Sequence, residues 1–234
     1  MTGLAGRLLD LAGGAMLDTA QVTAVSPLAP GFLRVRLTAE AFRKVTWVPG
    51  SKLQFRPRRG TMSLRTYTPI GWDAETGETE LIAYTHGDGP AATWFRQVAV
   101  GDRCEVFGPR NSIDLRDVAG RPVVFVGDET SVALACALRT VTTDVSYIFE
   151  AQDPAALAGL LPGLNIIERA TVVAKDTGLL PLARAAAGPG PCILVVTGDA
   201  ATVHAVRRDS LTWPLKPAKV KGKAYWAEGR AGLD

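Results

Sequence analysis

Two apolar runs in the second half of the chain are too continuous for strands with one face in water. "VVFV" begins at Val123 and "ILVV" begins at Ile193, and each is followed by a short turn and a helix-forming stretch. A strand that is apolar on both sides is buried on both faces, as in a parallel sheet covered by helices. Because the strand–turn–helix order repeats from Arg121 onward, this half is predicted to be an α/β domain with a parallel sheet.

The first half has a different pattern. Between Gln21 and Leu115, short segments such as "FLRVRL" and "TELIAYTH" alternate polar and apolar residues, and Pro/Gly turns separate them. Only "PAATWFRQV" has helical character. Short alternating strands with frequent turns are typical of an antiparallel β-barrel. We therefore predict two domains, a β-barrel over residues 1–118 and an α/β domain over residues 119–234.

Charge and cysteine content exclude several classes of function. The 234 residues carry a net charge of +3, which is a weaker basic excess than nucleic-acid binding requires. The three cysteines form no Cys-x-x-Cys pair and there are only two histidines, so no protein-held metal is predicted. Asp10 and Asp18 interrupt the N-terminal apolar run, so we expect a short amphipathic helix there and no membrane insertion. These features favour a cytoplasmic protein without a nucleic-acid partner.

The segment "SLRTYTPI" places an arginine, a tyrosine and a threonine at Arg65, Tyr67 and Thr68. In an extended strand, Arg65 and Tyr67 face the same side. The arginine fork holds phosphate oxygens, and a tyrosine ring packs on a flat heterocycle. These groups suit a flat cofactor with a phosphate arm, although an edge strand with an ordinary surface arginine remains the alternative.

A second candidate phosphate site follows in "HGDGPAATWF". Pro90 is well placed at the first position of a helix, directly after Gly89. The first N–H groups of such a helix have no partner within it, and with the helix dipole they attract an anion. A plain helix start is the alternative, but two phosphate-binding segments in succession favour an anionic cofactor.

Four segments in this order, "LRTYTPI", "HGDGPAATW", "GDRCEVFGPR" and "VVFVGDET", resemble the siderophore-interacting protein family. These are FAD-dependent ferric-siderophore reductases of the ferredoxin-reductase-like superfamily. The resemblance implies an N-terminal FAD-binding barrel of the FR type, a C-terminal nicotinamide-nucleotide domain, and flavin in a cleft between them. It implies NADH or NADPH as reductant and a ferric siderophore as substrate, and we expect a monomer. The cofactor-binding residues predicted with it are Arg65, Thr66, Tyr67, Thr68, Tyr84, His86, Gly89, Pro90, Ala91, Ala92, Gly127, Asp128, Glu129, Thr130 and Trp226.

The turns of the second half also point to a nucleotide. Parallel sheets bind ligands beyond the carboxyl ends of their strands, where "GDET" and "TGDAA" lie. Asp128, Glu129 and Thr130 suit this position, but they equally suit a helix cap. Glu150 ends the second strand, 23 residues after Gly127, which is near the spacing of an acid that binds a ribose 2′-OH. The sequence contains no G-x-G-x-x-G, which disfavours a primary Rossmann dehydrogenase.

Basic residues are concentrated in two segments that contain no acid, one from Lys52 to Arg65 and one from Lys216 to Lys223. If both flank the flavin, they attract an anionic ferric chelate. The predicted substrate residues are Lys52, Lys216, Lys219 and Lys221, with the last three on a loop before the strand "KAYW". Solvated basic loops are the alternative.

These patterns together predict an FAD-dependent NAD(P)H:ferric-siderophore oxidoreductase with no catalytic acid, base or nucleophile. Flavin converts the two electrons of a hydride into single electrons, which ferric iron accepts. Three places depart from the family pattern: Ile70, Ala92 and the "VVTGDAA" segment. The alternatives are a general flavin reductase, a ferredoxin-fed reductase, or a flavin- or chelate-binding protein without turnover.

Overall fold

The structure, a computed structural model, describes residues 17–56, 64–166 and 169–230. The chain divides into two compact units between Ser112 and Ile113, six residues before the boundary that the sequence predicts. The predicted N-terminal helix lies outside the described residues. Among the helices of the described ranges, none is both long enough and apolar enough to cross a membrane.

The first unit contains a seven-stranded antiparallel sheet with the strand order β4-β3-β7-β1-β2-β6-β5. Its strands are β1 (Asp18–Ala29), β2 (Phe32–Thr38), β3 (Lys52–Arg56), β4 (Arg65–Tyr67), β5 (Pro69–Asp73), β6 (Glu78–Tyr84) and β7 (Arg103–Arg110).

The two outer strands of this sheet are consecutive in the chain. β4 ends at Tyr67 and pairs with β3, whereas β5 begins at Pro69 and pairs with β6, so Thr68 alone joins them. Two residues span at most about 7 Å, which keeps the outer strands close together. The sheet therefore curls into the predicted barrel.

Alternation along the strands builds the core of the barrel. In β2, Val35 and Leu37 are fully buried while Arg36 between them is exposed. Helix α1 (Pro90–Gln97) adds Phe95 to the same core, and a 3₁₀ turn, Glu40–Lys44, adds Phe42.

The second unit contains a five-stranded sheet in which every pairing is parallel, with the order β10-β9-β8-β11-β12. Its strands are β8 (Val123–Gly127), β9 (Val145–Ala151), β10 (Ala170–Ala174), β11 (Ile193–Asp199) and β12 (Lys219–Trp226). Its helices are α2 (Val132–Arg139), α3 (Pro154–Leu160), α4 (Leu179–Ala186) and α5 (Ala200–Ser210), and its 3₁₀ turns are Arg116–Val118, Glu129–Ser131 and Leu161–Leu164.

The apolar runs that predict this sheet form its centre. Every residue of β8 and of β11 is buried, which confirms the parallel α/β prediction. These two strands are neighbours in the sheet, and the strand order reverses between them. A reversal of this kind is where parallel sheets bind ligands, and here Asp128 and Asp199 stand at the carboxyl ends.

Candidate functional site

An aromatic cluster joins the arginine-bearing strand β4 to helix α1. The ring centroids of Tyr67 and Phe95 are 5.1 Å apart, edge to face, and Phe55 of β3 stacks on Phe95 at 5.2 Å. Trp94 completes the cluster at 4.8 Å from Phe55. Because these rings fix the helix against the strand, the structure brings the two candidate phosphate-binding segments into one part of the barrel.

Tyr67 and Arg65 differ in how they are held. The surrounding rings remove water from the Tyr67 phenol, which raises its pKa well above the ordinary value, while the charge of Arg65 opposes the shift more weakly. The hydroxyl therefore stays protonated and available as a donor. Arg65 is half-buried, and its Nη1 donates a hydrogen bond to the carbonyl of Leu64 at 2.9 Å. Thr66 and Thr68 are also half-buried.

The start of helix α1 is open. Gly89 is its N-cap and makes no side-chain hydrogen bond to the first turn, and Pro90 stands at the first helical position. A Cβ built on Gly89 would meet no atom within 4 Å, so the approach to the backbone is clear. Ala91 is buried and Ala92 is half-buried, and neither has a polar side chain. The polar groups that these positions can offer a ligand are therefore their backbone N–H groups.

Arg96, which the sequence analysis missed, holds the loop that leads into this helix. Its Nη1 donates to the carbonyl oxygens of Thr85 at 3.2 Å and Gly87 at 2.7 Å. Both acceptors are backbone atoms, and every residue has such an acceptor, so no sequence pattern marks the contact. Arg96 therefore positions the turn before Gly89.

Three rings form a stacked column beside that loop. Phe32 and Tyr84 lie 4.7 Å apart at an interplanar angle of 25°, and Tyr84 and His86 lie 4.6 Å apart at 23°. Phe32 is buried, Tyr84 is half-buried and His86 is exposed, so the column runs from the core to the surface. A flat ligand ring can extend such a stack.

The groups gathered in the first unit fit FAD. A guanidinium and an open helix start suit the two phosphates, and the outer ring of the column suits a flat ring. All of these groups lie between Arg65 and Ala92 in the chain. The aromatic cluster brings the two ends of this segment, β4 and the start of α1, close together.

In the second unit, Asp128 is 4% exposed, and groups of this chain donate to both of its carboxylate oxygens. Oδ1 accepts from the Thr130 N–H at 2.9 Å and from the hydroxyls of Thr130 and Ser131. Oδ2 accepts from the Asp199 N–H at 2.9 Å and from the Trp226 indole N–H at 2.7 Å. The capping interpretation of Asp128 is confirmed, and the same carboxylate also ties β8 to β11 and β12.

Two glycines make this close approach possible. A Cβ at Gly198 would lie 2.3 Å from Oδ2 of Asp128, and Gly198 has a φ of +111°, which side chains rarely allow. A Cβ at Gly127 would lie 2.5 Å from the Cβ of Ser131. The strand ends therefore converge only because both positions lack a side chain.

Glu129, the neighbour of Asp128, is also used by the protein. Its carboxylate accepts from the N–H of Gln152 at 2.7 Å, and the residue is 9% exposed. The structure thus brings Gly127, Asp128, Glu129 and Thr130 to the carboxyl end of the sheet, as the sequence predicts. The polar atoms of the two acids face protein donors there.

Lys175 and Asp199 extend this network to the ring of Trp226, and the site residues predicted from the sequence include neither of them. The Lys175 ammonium lies 4.5 Å from the centre of the Trp226 ring and 3.3 Å from Oδ2 of Asp199. Burial lowers the pKa of Lys175, but the hydrogen bond and charge of Asp199 outweigh burial and leave that pKa above its ordinary value. The only sequence signal was polar residues directly after apolar strands, in "AKDTG" and "TGDAA".

A cavity of about 330 Å³ opens at the same end of the sheet, near the ends of β9, β10 and β11. Its lining residues are Glu150, Asp176, Gly178, Leu179, Leu180, Pro181, Asp199, Ala201, Thr202 and Ala205. The Thr202 hydroxyl donates to the Glu150 carboxylate. Burial raises the pKa of Glu150 above its ordinary value, and the Thr202 hydrogen bond only partly offsets this.

The predicted loop position of Lys219 and Lys221 is wrong, because both residues lie in strand β12. Lys219 stands opposite Ile193 and Trp226 opposite Asp199, so the lysines occupy the amino end of the strand. At about 3.3 Å per residue, Lys219 is roughly 23 Å from Trp226 along the strand.

Both lysines are ion-paired with Asp117, at 2.5 Å for Lys219 and 2.6 Å for Lys221, and the Lys221 side chain is only 10% exposed. Asp117 lies in the 3₁₀ turn Arg116–Val118, and its single negative charge offsets part of the positive charge of the two lysines. Of the other two predicted substrate residues, Lys216 is exposed and Lys52 begins β3 opposite Arg110. Within the described ranges, no group of three or more ligating side chains is arranged to hold a metal ion.

Comparison with known proteins agrees with this geometry. Residues 50–113 match the family model of a siderophore-interacting FAD-binding domain. No curated protein sequence gives a match. Many solved structures share the fold, and three of them illustrate a likeness that extends across about nine-tenths of this chain.

The siderophore-interacting protein from Acinetobacter baumannii has a TM-score of 0.71 and 17% identity, covering 91% of each chain. A siderophore utilization protein from T. fusca has a TM-score of 0.69 and 20% identity, covering 93% of this chain and 95% of that one. The ferredoxin reductase in carbazole 1,9a-dioxygenase has a TM-score of 0.72 and 21% identity, covering 90% of this chain and 69% of that one.

At these identities the structural likeness establishes the fold alone, and the family model matches residues 50–113. The predicted resemblance is confirmed: residues 50–113 match the siderophore-interacting FAD-binding domain, in a chain with the two-domain fold of ferredoxin-reductase-like proteins.

Proposed function

We propose that the protein is an FAD-dependent NAD(P)H:ferric-siderophore oxidoreductase. The observation that carries the proposal is the contact of Tyr67 with Phe95, which joins the Arg65 strand to the open start of α1. These groups lie within the residues that match a siderophore-interacting FAD-binding domain. The proposal includes a monomeric enzyme that acts in the cytoplasm.

Each group of the first unit has a distinct task in this proposal. Arg65 holds a phosphate oxygen, and the N–H groups after Pro90 hold the pyrophosphate. The protonated Tyr67 hydroxyl donates a hydrogen bond to the cofactor, and His86 packs against a flat ring. When bound, FAD would accept two electrons together and release them one at a time.

For reduction of the substrate, the protein has only to let the ferric chelate approach the flavin and to attract it by charge. One hydride carries two electrons, so each NAD(P)H reduces two ferric chelates to the ferrous state. Electron transfer of this kind breaks no bond to a protein group and needs no acid, base or nucleophile. We propose Lys52 and Lys216 as positions that attract an anionic chelate. Lys219 and Lys221 are left out because both are ion-paired with Asp117 and lie in strand β12.

The cofactor assignment is tested by Arg65→Ala, which should weaken FAD binding by about 1.5–3 kcal/mol, the contribution of a hydrogen bond to a charged group. Quenching of flavin fluorescence during titration into flavin-free protein gives the affinity. Arg103→Ala is the matched control, since Arg103 is an exposed arginine of the same barrel. Unchanged FAD affinity in a folded Arg65→Ala protein removes the basis of the assignment.

A second candidate is a reductase that passes electrons to another redox protein. The likeness to the ferredoxin reductase in carbazole 1,9a-dioxygenase supports this candidate at the level of the fold. Steady-state oxidation of NADH or NADPH separates the two, with a ferric chelate, free flavin or a ferredoxin as the acceptor. Turnover with the ferric chelate supports the first candidate, and turnover with ferredoxin alone supports the second. No turnover with any acceptor indicates a binding protein.

A further inference from the structure

The cavity beside Glu150 has the shape and position of a ligand site. Its volume of about 330 Å³ lies within the range of small-molecule pockets. It opens where β9, β10 and β11 end, which is the edge at which parallel sheets bind ligands. Glu150 lies two residues after Ile148 and so projects from the same face of β9. Ile148 belongs to the buried core cluster that also contains Leu179 of α4 and Val203 of α5, so this face of β9 is the one that α4 and α5 cover.

The lining divides into an apolar part and an acidic part. Leu179, Leu180 and Pro181 belong to α4 and offer an apolar wall for a flat ring. Glu150 and Asp176 stand at the ends of the neighbouring strands and offer carboxylate oxygens. A flat base attached to a sugar with free hydroxyl groups matches this combination.

The charge of the cavity excludes a class of ligand. Three of its lining residues are acids, and no lysine or arginine is among the described residues that line it. The nearby Lys175 is engaged by Asp199 and by the Trp226 ring. A phosphate group placed here would face three carboxylates, whose combined charge the single nearby Lys175 only partly offsets, so the lining disfavours a further anionic group.

We propose that this cavity takes the adenosine end of the reductant and selects NADH over NADPH. Glu150 accepts a hydrogen bond from the ribose 2′-OH of NADH, and Glu150 with Asp176 repels the 2′-phosphate of NADPH. Thr202 holds the Glu150 carboxylate in place by donating its hydroxyl. This inference rests on the proposed function, because it concerns the reductant of that reaction.

The test measures binding directly, without turnover. ADP-ribose and 2′-phospho-ADP-ribose are titrated by calorimetry into the flavin-loaded full chain at about pH 8, several units above the ordinary pKa of a glutamate, because burial raises the pKa of Glu150. We expect ADP-ribose to bind about tenfold tighter or more. In the double variant Glu150→Gln and Asp176→Asn, the ratio of the two affinities should fall to about threefold or less. Asp144→Asn is the control and should leave the ratio unchanged, since Asp144 is an exposed acid before the opposite end of β9.

A second pair of variants tests whether the cavity itself is the site. Ala205 and His204 are both exposed on α5, but only Ala205 lines the cavity. Ala205→Trp fills the opening and should weaken ADP-ribose about tenfold or more, whereas His204→Trp should leave its affinity unchanged. The two tryptophan variants therefore test the site even if the double variant Glu150→Gln and Asp176→Asn does not fold.

Each outcome decides between the inference and the function on which it rests. Equal binding of the two ligands, tighter binding of the phosphorylated one, or equal effects of the two tryptophan variants overturns the inference. If neither ligand binds but NADH or NADPH still reduces the flavin, the inference fails and the proposed function stands. If neither nicotinamide reduces the flavin, both fail.

Discussion

Replacing Asp128 by alanine should destabilise the second unit by about 2–4 kcal/mol. The carboxylate accepts from three N–H donors whose directions are fixed, on Thr130, Asp199 and Trp226. A buried donor left without its acceptor loses roughly 1–3 kcal/mol. Only the Asp199 N–H lies in a buried hydrogen bond, and the half-buried N–H groups of Thr130 and Trp226 lose less because water can reach them, so the three losses together stay within about 2–4 kcal/mol. Removing a buried charge also removes its desolvation free energy, which offsets part of the loss. The hydroxyls of Thr130 and Ser131 can rotate to other acceptors and contribute little.

Asparagine at position 128 should cause a smaller loss of stability than alanine, and the two variants can be compared directly. Asp128→Asn keeps the shape, but its amide nitrogen must face either the donors at Oδ1 or those at Oδ2, whichever rotamer it adopts. About half of the loss, roughly 1–2 kcal/mol, should therefore remain. Asp144→Ala is the matched control and should change the free energy of unfolding by at most about 0.5 kcal/mol. Its carboxylate is 52% exposed and pairs with Arg169 at the surface.

The assay has to resolve the second unit from the first, because two units need not unfold together. Urea unfolding gives the free energy, and hydrogen exchange followed by mass spectrometry locates the change. In Asp128→Ala, amides at the carboxyl end of β11 and in β12 should exchange faster, while those of β1–β7 should not. A free energy within about 0.5 kcal/mol of the original, with unchanged exchange, would refute the structural role and favour a ligand contact by Asp128.

Three further outcomes follow from the geometry. Burial keeps the folded-state pKa of Glu150 above its unfolded value, so the charged side chain lowers stability once the pH rises through that folded pKa. Glu150→Gln should therefore melt higher than the original protein near neutral pH and at about the same temperature near pH 4, by calorimetry across a pH series; the opposite order contradicts the desolvation account. Phe95→Ala should lower the free energy of unfolding of the barrel by about 3–5 kcal/mol and also weaken FAD binding, since Phe95 holds α1 against Tyr67. If the variant is destabilised but binds FAD with unchanged affinity in a flavin titration, α1 does not contribute to the FAD site. Lys52→Glu should raise the apparent KM for an anionic ferric chelate at low salt more than at high salt, with Lys44→Glu as the control; equal effects on a neutral acceptor would assign Lys52 a structural role.

The sequence predicts those parts of the molecule that depend on neighbouring residues. Alternation predicts the strands of the barrel, and continuous apolar runs predict β8 and β11, because burial on one face or two leaves a local pattern. Pro90 likewise marks the start of α1 from its own position alone.

Contacts between distant residues leave no such local pattern. Trp226 donates to Asp128 from 98 positions away, and Lys219 reaches Asp117 across 102 positions. These pairs depend on which strands are neighbours and on their register. Polar residues after a buried strand predict only that Asp128 lies at the edge of the sheet. The three-dimensional neighbours then decide whether its carboxylate faces a ligand or the indole of Trp226.

The single-residue junction at Thr68 links ligand occupancy to the heat resistance of the barrel. β4 carries Arg65 and Tyr67, and it passes directly into β5 on the other edge of the sheet, so neither strand can detach without pulling on the other. A cofactor bound to β4 therefore acts against opening of the whole ring, rather than against fraying of one short strand. At a free concentration of a hundred times its Kd, such a ligand adds about 2.7 kcal/mol to the folded state. The melting temperature of the first unit consequently reports how much of the protein carries its cofactor.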